Sequence, residues 1–159
     1  MRSTTILAIL CGLCFSARAA AADWPRFRGP DGKATSEDRG LPTTWGDEEN
    51  LVWKVELPGY GASSPIVVGD RAFVTCYSGY GLDAEAPGEL SKLQRHLLCL
   101  NTTTGETLWS YDVPAAGRES NYVDFLVQHG YATSTPVSDG ERVYVFFGTS
   151  GVRAVDMDG

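Results

Sequence analysis

The chain has 159 residues, about one domain's worth, and 20 acidic against 13 basic side chains leave a formal charge of −7. An acidic balance with scattered charges speaks against nucleic acid and against an anionic membrane surface as partners. Four cysteines, two of them in an apolar leader, are too few for a disulfide framework, and no C-x-x-C pair or His/Cys cluster predicts a zinc site.

Residues 1–22 read as a secretory signal peptide. Arg2 precedes the apolar run Ile6 to Phe15, and "SARAAAA" (Ser16 to Ala22) supplies small residues for cleavage near Ala19 to Ala22. Leu10 precedes Cys11 and Leu13 precedes Cys14, so neither cysteine has the small neighbour that a lipoprotein signal wants. The expected location is exported, periplasmic or extracellular, with no transmembrane segment once the leader is removed. Residues 23–50 are rich in Gly, Pro and charge without periodicity, and predict an irregular arm. Its aromatics Trp24, Phe27 and Trp45 are expected to pin it to the body of the protein.

From residue 51 to 159 the pattern turns to short β-branched and aromatic runs between Gly, Asp, Asn and Pro turns, an all-β signature. Strands are predicted at Leu51–Leu57, Ser63–Val68, Arg71–Tyr77, His96–Asn101, Thr107–Val113, Ser134–Ser138, Arg142–Gly148 and Val152–Met157. Consecutive apolar residues in "LLCL" and "VYVFF" predict burial on both faces. The strands also repeat. "SSPIVVGDRAFVTCY" aligns without a gap to "STPVSDGERVYVFFG", placing Pro65 on Pro136 at an offset of 71 residues. "LCLNTTTG" aligns to "RAVDMDG", placing Gly105 on Gly159, and "LVWKVELP" aligns to "TLWSYDVP", placing Trp53 on Trp109.

A four-strand unit A–B–C–D follows, with a Trp on strand D. Leu51–Leu57 is then an orphan outer strand, Ser63–Val113 one complete unit, and Ser134–Gly159 most of a second. The chain is expected to be an N-terminal fragment, since Gly159 falls within the C–D turn of the second unit. Ser63, Ser64, Ser134 and Thr135 recur at equivalent places, so they read as hydrogen-bonding residues between units and not as nucleophiles; no G-x-S-x-G elbow occurs.

The pattern "LNTTTGETLW", an acidic or amide residue, Thr-Gly and then Trp on an outer strand, resembles the repeat of pyrroloquinoline-quinone-like (PQQ-like) β-propellers. The stretch Asp23 to Trp45, "CYSGYG" (Cys76 to Gly81) and "HGYATSTPVSDGERVYVFFG" (His129 to Gly148) are similar to exported bacterial members of planctomycete type. The resemblance implies a partial propeller of a seven- or eight-bladed parent. It also implies two alternatives to a noncatalytic binding or scaffolding module: a quinoprotein dehydrogenase, and a propeller like the outer-membrane assembly lipoprotein. A dehydrogenase needs PQQ, Ca²⁺ and a carboxylate base. No adjacent Cys-Cys pair is present and no base can be assigned, so PQQ and Ca²⁺ are expected only in a full-length parent, and no catalytic residue or metal ligand is named.

Strand alternation makes a further prediction. The A–B and C–D turns share one end of a unit, and here they are minimal. The first B–C connection (Ser78 to Arg95) and the D–A connection (Pro114 to Thr133, with one helical turn near Tyr122 to Val127) are long and share the other end. Long loops on a rigid scaffold carry binding residues. Tyr77, Tyr80, Asp83, Arg95, Arg118, Asn121, Asp124 and His129 gather there, a set suited to a polar small molecule such as a sugar or to a protein loop. "DMDG" (Asp156 to Gly159) aligns with a plain turn and is not read as a calcium loop. Cys76 and Cys99, on neighbouring strands, stand either as a cross-strand disulfide or as two small buried thiols.

Overall fold

The computed structural model describes residues 22–159. The predicted leader lies outside the described residues except for Ala22. Among the described residues, no helix is long and apolar enough to cross a membrane.

The protein is all-β, two antiparallel sheets packed side by side as neighbouring blades of a partial propeller. The first sheet runs in the order β1 (Ile66–Val68), β2 (Arg71–Ser78), β3 (Gln94–Asn101), β4 (Thr107–Pro114). After the short helix α1 (Phe125–His129) come β5 (Val137–Ser138), β6 (Arg142–Phe146) and β7 (Val152–Asp156), the second sheet. The helical turn predicted near Tyr122 to Val127 therefore forms a few residues later.

Side-chain alternation along β2 and β3 explains the packing. Phe73, Thr75 and Tyr77 share a face with Arg95, Leu97 and Cys99, and this face forms one core with Val143, Val145, Phe147 and Val155 of the second sheet. The opposite face carries Cys76, His96 and Leu98. Cys76 is registered on His96 and Cys99 on Phe73, so the two thiols point to opposite faces and are free and buried. Burial pushes each up to about 11.

Strand A of the first sheet is shorter than predicted, and the reason is local. Pro65 has no N–H to give a ladder. Tyr60 pairs with Tyr77, Ile66–Val68 pair with Arg71–Phe73, and between them the Ser63 hydroxyl takes the backbone's place. It accepts from Thr75 N–H (3.1 Å) and donates to Thr75 C=O (3.2 Å). The repeat residues Ser64 and Thr135 join the sheets, Ser64 N–H donating to Thr135 Oγ1 at 3.1 Å. Thr75 Oγ1 likewise donates to the carbonyl of Ser134 at 3.3 Å.

The tryptophans dock across units. Trp53 donates its indole N–H to Thr102 C=O (2.8 Å) in the first C–D turn, and Trp109 donates to Met157 C=O (2.9 Å) in the second. Each ring covers a turn glycine at positive φ, Gly105 under Trp53 and Gly159 under Trp109. A Cβ at Gly105 would stand 2.7 Å from the ring, which excludes a side chain there. Leu51–Leu57, predicted as a strand, is not one: no chain pairs with it among the described residues, and Trp53 ties it to the first C–D turn.

Two further expectations change. "VYVFF" in β6 is buried on one face only, because Val143 and Val145 point into the core while Phe146 points out. The arm is pinned by backbone bonds and by the Asp23 carboxylate, which accepts from Gly69 N–H (2.8 Å), and not by three aromatics. Trp24 exchanges two hydrogen bonds with Val67 (2.8 and 3.0 Å), and Pro25 C=O accepts from Ser138 N–H (2.8 Å). The arm thus spans the β1 and β5 strands of both sheets, while Phe27 and Trp45 are exposed.

Candidate functional site

The first A–B and C–D turns meet at one end, Thr102 N–H donating to Asp70 C=O at 2.9 Å. Arg71 bridges from there to the second sheet's turn, donating to Met157 C=O and to the Asp158 carboxylate (2.9 Å). Asp156 is paired in turn with Arg142 at 3.4 Å, so "DMDG" is a turn with both carboxylates engaged.

The two long connections converge at the other end on four tyrosines. Tyr131 lies edge-on to Tyr77, with ring centroids 5.4 Å apart, and Tyr80 and Tyr122 complete the cluster at 5.9 and 6.2 Å from it. Each polar tip is satisfied. Tyr77 donates to Gly81 C=O (2.9 Å), Tyr131 donates to Ser120 C=O (2.8 Å), and Tyr80 Oη accepts from Tyr122 N–H (3.1 Å). Burial raises the phenol of Tyr77 well above its usual value and that of Tyr131 to about 12, so both remain neutral donors.

Beside this cluster, between the D–A connection and the turn after β6, lies a cleft of about 260 Å³. Its floor is a buried ion pair. Arg95, 2 % exposed, donates from Nη1 to Glu119 Oε1 (3.2 Å) and to Ser150 Oγ (3.0 Å), and its guanidinium sits 5.8 Å from the Tyr131 ring centroid. Arg95 Nε has no partner. An unmet buried donor costs about 1–3 kcal/mol. Burial by itself would raise Glu119. The amides of Ala116 (2.6 Å) and Arg118 (3.0 Å) and the Arg95 pair outweigh it and hold the carboxyl at about 2. The walls are Tyr131 and Phe147, and Phe125 and Phe146, 66 % and 53 % exposed, stand at the rim.

Residues 33–158 match the protein family described as "Outer membrane protein assembly factor BamB". The chain belongs to this family of PQQ-like repeat propellers. Comparison with curated proteins and with solved structures gives no match.

Within this family member the predicted face residues fall in three places. Tyr77, Tyr80 and Arg95 come together in the buried cluster and cleft floor. Asp83, Arg118, Asn121 and Asp124 are exposed on the loops and do not converge. Asp83 caps its own turn by accepting from Glu85 N–H (2.9 Å), and Asp124 sits at φ 50° before α1. His129 stacks on Phe125 (4.1 Å) and faces a smaller cleft of about 160 Å³ with Tyr60 and Tyr122.

Sequence reasoning missed Glu119, Ser150 and the rim phenylalanines. Glu119 is one acid among many, and only the fold sets it against Arg95, 24 residues away. It also missed a chain of hydrogen bonds on the opposite face of the first sheet. Ser78 Oγ lies 2.7 Å from His96 Nε2, and His96 Nδ1 lies 2.8 Å from Asp112 Oδ1, which also accepts from Ser110 Oγ (2.6 Å). The order resembles a nucleophilic triad. The adjoining hollow, however, is lined by His96, Ser110 and Asp112 and not by Ser78, and half of the Asp112 side chain is in solvent. The chain satisfies a buried histidine and ties β2, β3 and β4 together. Among the described residues, no three His, Cys, Asp or Glu side chains are placed to hold a metal ion.

Proposed function

We propose that this chain is part of an exported, noncatalytic β-propeller that binds a polar small molecule or a protein loop at its elaborated end. The observation that carries the reading is the asymmetry of the two ends. One end has tight turns closed by tryptophans and ion pairs, with the arm's Asp23 accepting from Gly69 N–H, whereas the other has two long connections that build a cleft with a buried charged floor. Rigid packing beneath loops is what positions binding groups. Export rests on the leader pattern of residues 1–22 and fits the family description.

That description also favours a second reading, an envelope assembly factor that docks protein segments on the same end. The quinoprotein alternative, with PQQ and Ca²⁺, is a reading of a full-length parent, and no observation on the described residues favours it.

The test is amide chemical-shift mapping on the full chain with three probe classes: neutral glycosides, acidic sugars, and β-strand peptides copied from outer-membrane barrels. Shifts confined to residues 118–134 and 146–149 support the reading. Shifts confined to the turns at Gly105 and Gly159 overturn it. Shifts from the barrel peptides alone favour the assembly-factor reading.

A further inference from the structure

Resting on that binding reading, we infer that the cleft floored by Arg95 and Glu119 takes a neutral sugar ring, edge first, with its C–H face against Phe125 and Phe146. Arg95 and Glu119 neutralise each other at 3.2 Å, so a net-charged ligand gains from one partner what it loses to the other. Glu119, held at about 2, stays ionised at neutral pH. The floor therefore offers a donor and an acceptor side by side with no net field.

Hydrogen-bond capacity narrows the ligand further. Arg95 Nε is a buried donor without a partner, while the Glu119 oxygens take three N–H donors from the protein, two on Oε1 and one on Oε2, and keep about one lone-pair site on Oε2. A hydroxyl both accepts and donates. Two neighbouring hydroxyls meet both needs, whereas a carboxylate serves only the arginine and an ammonium only the glutamate. A purely apolar ring would leave Nε unmet.

Shape supplies the third element. Phe125 and Phe146 stand at the mouth of the cleft, and a pyranose has an apolar C–H face beside its hydroxyls that can lie against them. At about 260 Å³ the cleft lies just below the range of drug-sized pockets, which suits one ring and not an oligomer lying flat.

The experiment uses the full chain and the methyl glycosides of neutral hexoses, with glucuronic acid and a Phe-containing peptide as controls, read by amide shift titration. Neutral glycosides are expected to shift Ser120, Thr133, Ser134 and Thr149 saturably. Phe125→Ala or Phe146→Ala is expected to weaken binding roughly three- to tenfold while leaving the fold intact, because both rings are exposed. Arg95→Lys, which keeps the charge and removes Nε, is expected to abolish binding. Glucuronic acid binding as tightly as glucose overturns the neutral-ligand inference. Shifts from the peptide alone overturn the sugar and leave the binding reading standing, and no shift from any probe overturns both.

Discussion

The two copies of the Ser-Ser/Thr-Pro strand have nearly the same sequence and different fates. In the second, Pro136 is fully buried and Val143 and Val145 close on the core of the first sheet. In the first, Pro65 is exposed, and the Ser63 hydroxyl completes the ladder that the proline breaks. Arg71 and Arg142 diverge in the same way. Arg71 reaches across to the next turn at Asp158, whereas Arg142 pairs with Asp156 of its own sheet. A repeat specifies the strand, and its neighbour decides what the strand's residues do.

The largest expected effect separates two adjacent phenylalanines. Phe147→Ala, at a fully buried site where the sheets meet, should cost about 3–5 kcal/mol in urea unfolding, while Phe146→Ala next to it should cost under about 1 kcal/mol. Equal costs would mean that the sheets do not share one core.

The tryptophan docks come next. Trp109→Ala and Trp53→Ala should each cost about 3 kcal/mol if the two are equivalent, as their matching indole bonds imply. A much smaller loss at Trp53 would mark Leu51–Leu57 as a loosely held segment. Beneath them, Gly105→Ala should cost about 1–3 kcal/mol and Gly159→Ala less, because the added Cβ meets Trp53 at 2.7 Å but Trp109 at 3.1 Å.

A pH measurement compares two carboxylates held at about 2, Glu119 in the buried floor and Asp139 in an exposed turn. A carboxyl whose folded pKa lies below its unfolded value stabilises the fold above the unfolded value. That contribution is lost as pH falls through the folded value. Glu119 should therefore stabilise fully above about pH 4.5 and lose its contribution between there and about pH 2. Glu119→Gln should flatten that acid limb. Asp139→Asn should change it least, since its bonds to the Glu141 and Arg142 amides lie in solvent.

The all-β class, the repeat register, the tight-turn end and the long-loop end were all legible in the sequence. Each rests on short-range chemistry: alternation, proline and glycine positions, and loop length. The residues that build the tyrosine cluster and the cleft floor were legible only in part. Tyr77, Tyr80 and Arg95 stand out because they flank a long connection, but nothing local marks Glu119 or Ser150 as partners of Arg95. Pairing across 24 and 55 residues is a property of how the sheets pack. The same holds for the two thiols, close in the strand plan yet on opposite faces once the register of β2 on β3 is set. By itself the sequence determined which segments become strands and where they turn, because those choices are made within a few residues. The tertiary structure alone decided which face each strand buries and which charges meet, because burial and ion pairing depend on what arrives from the rest of the chain.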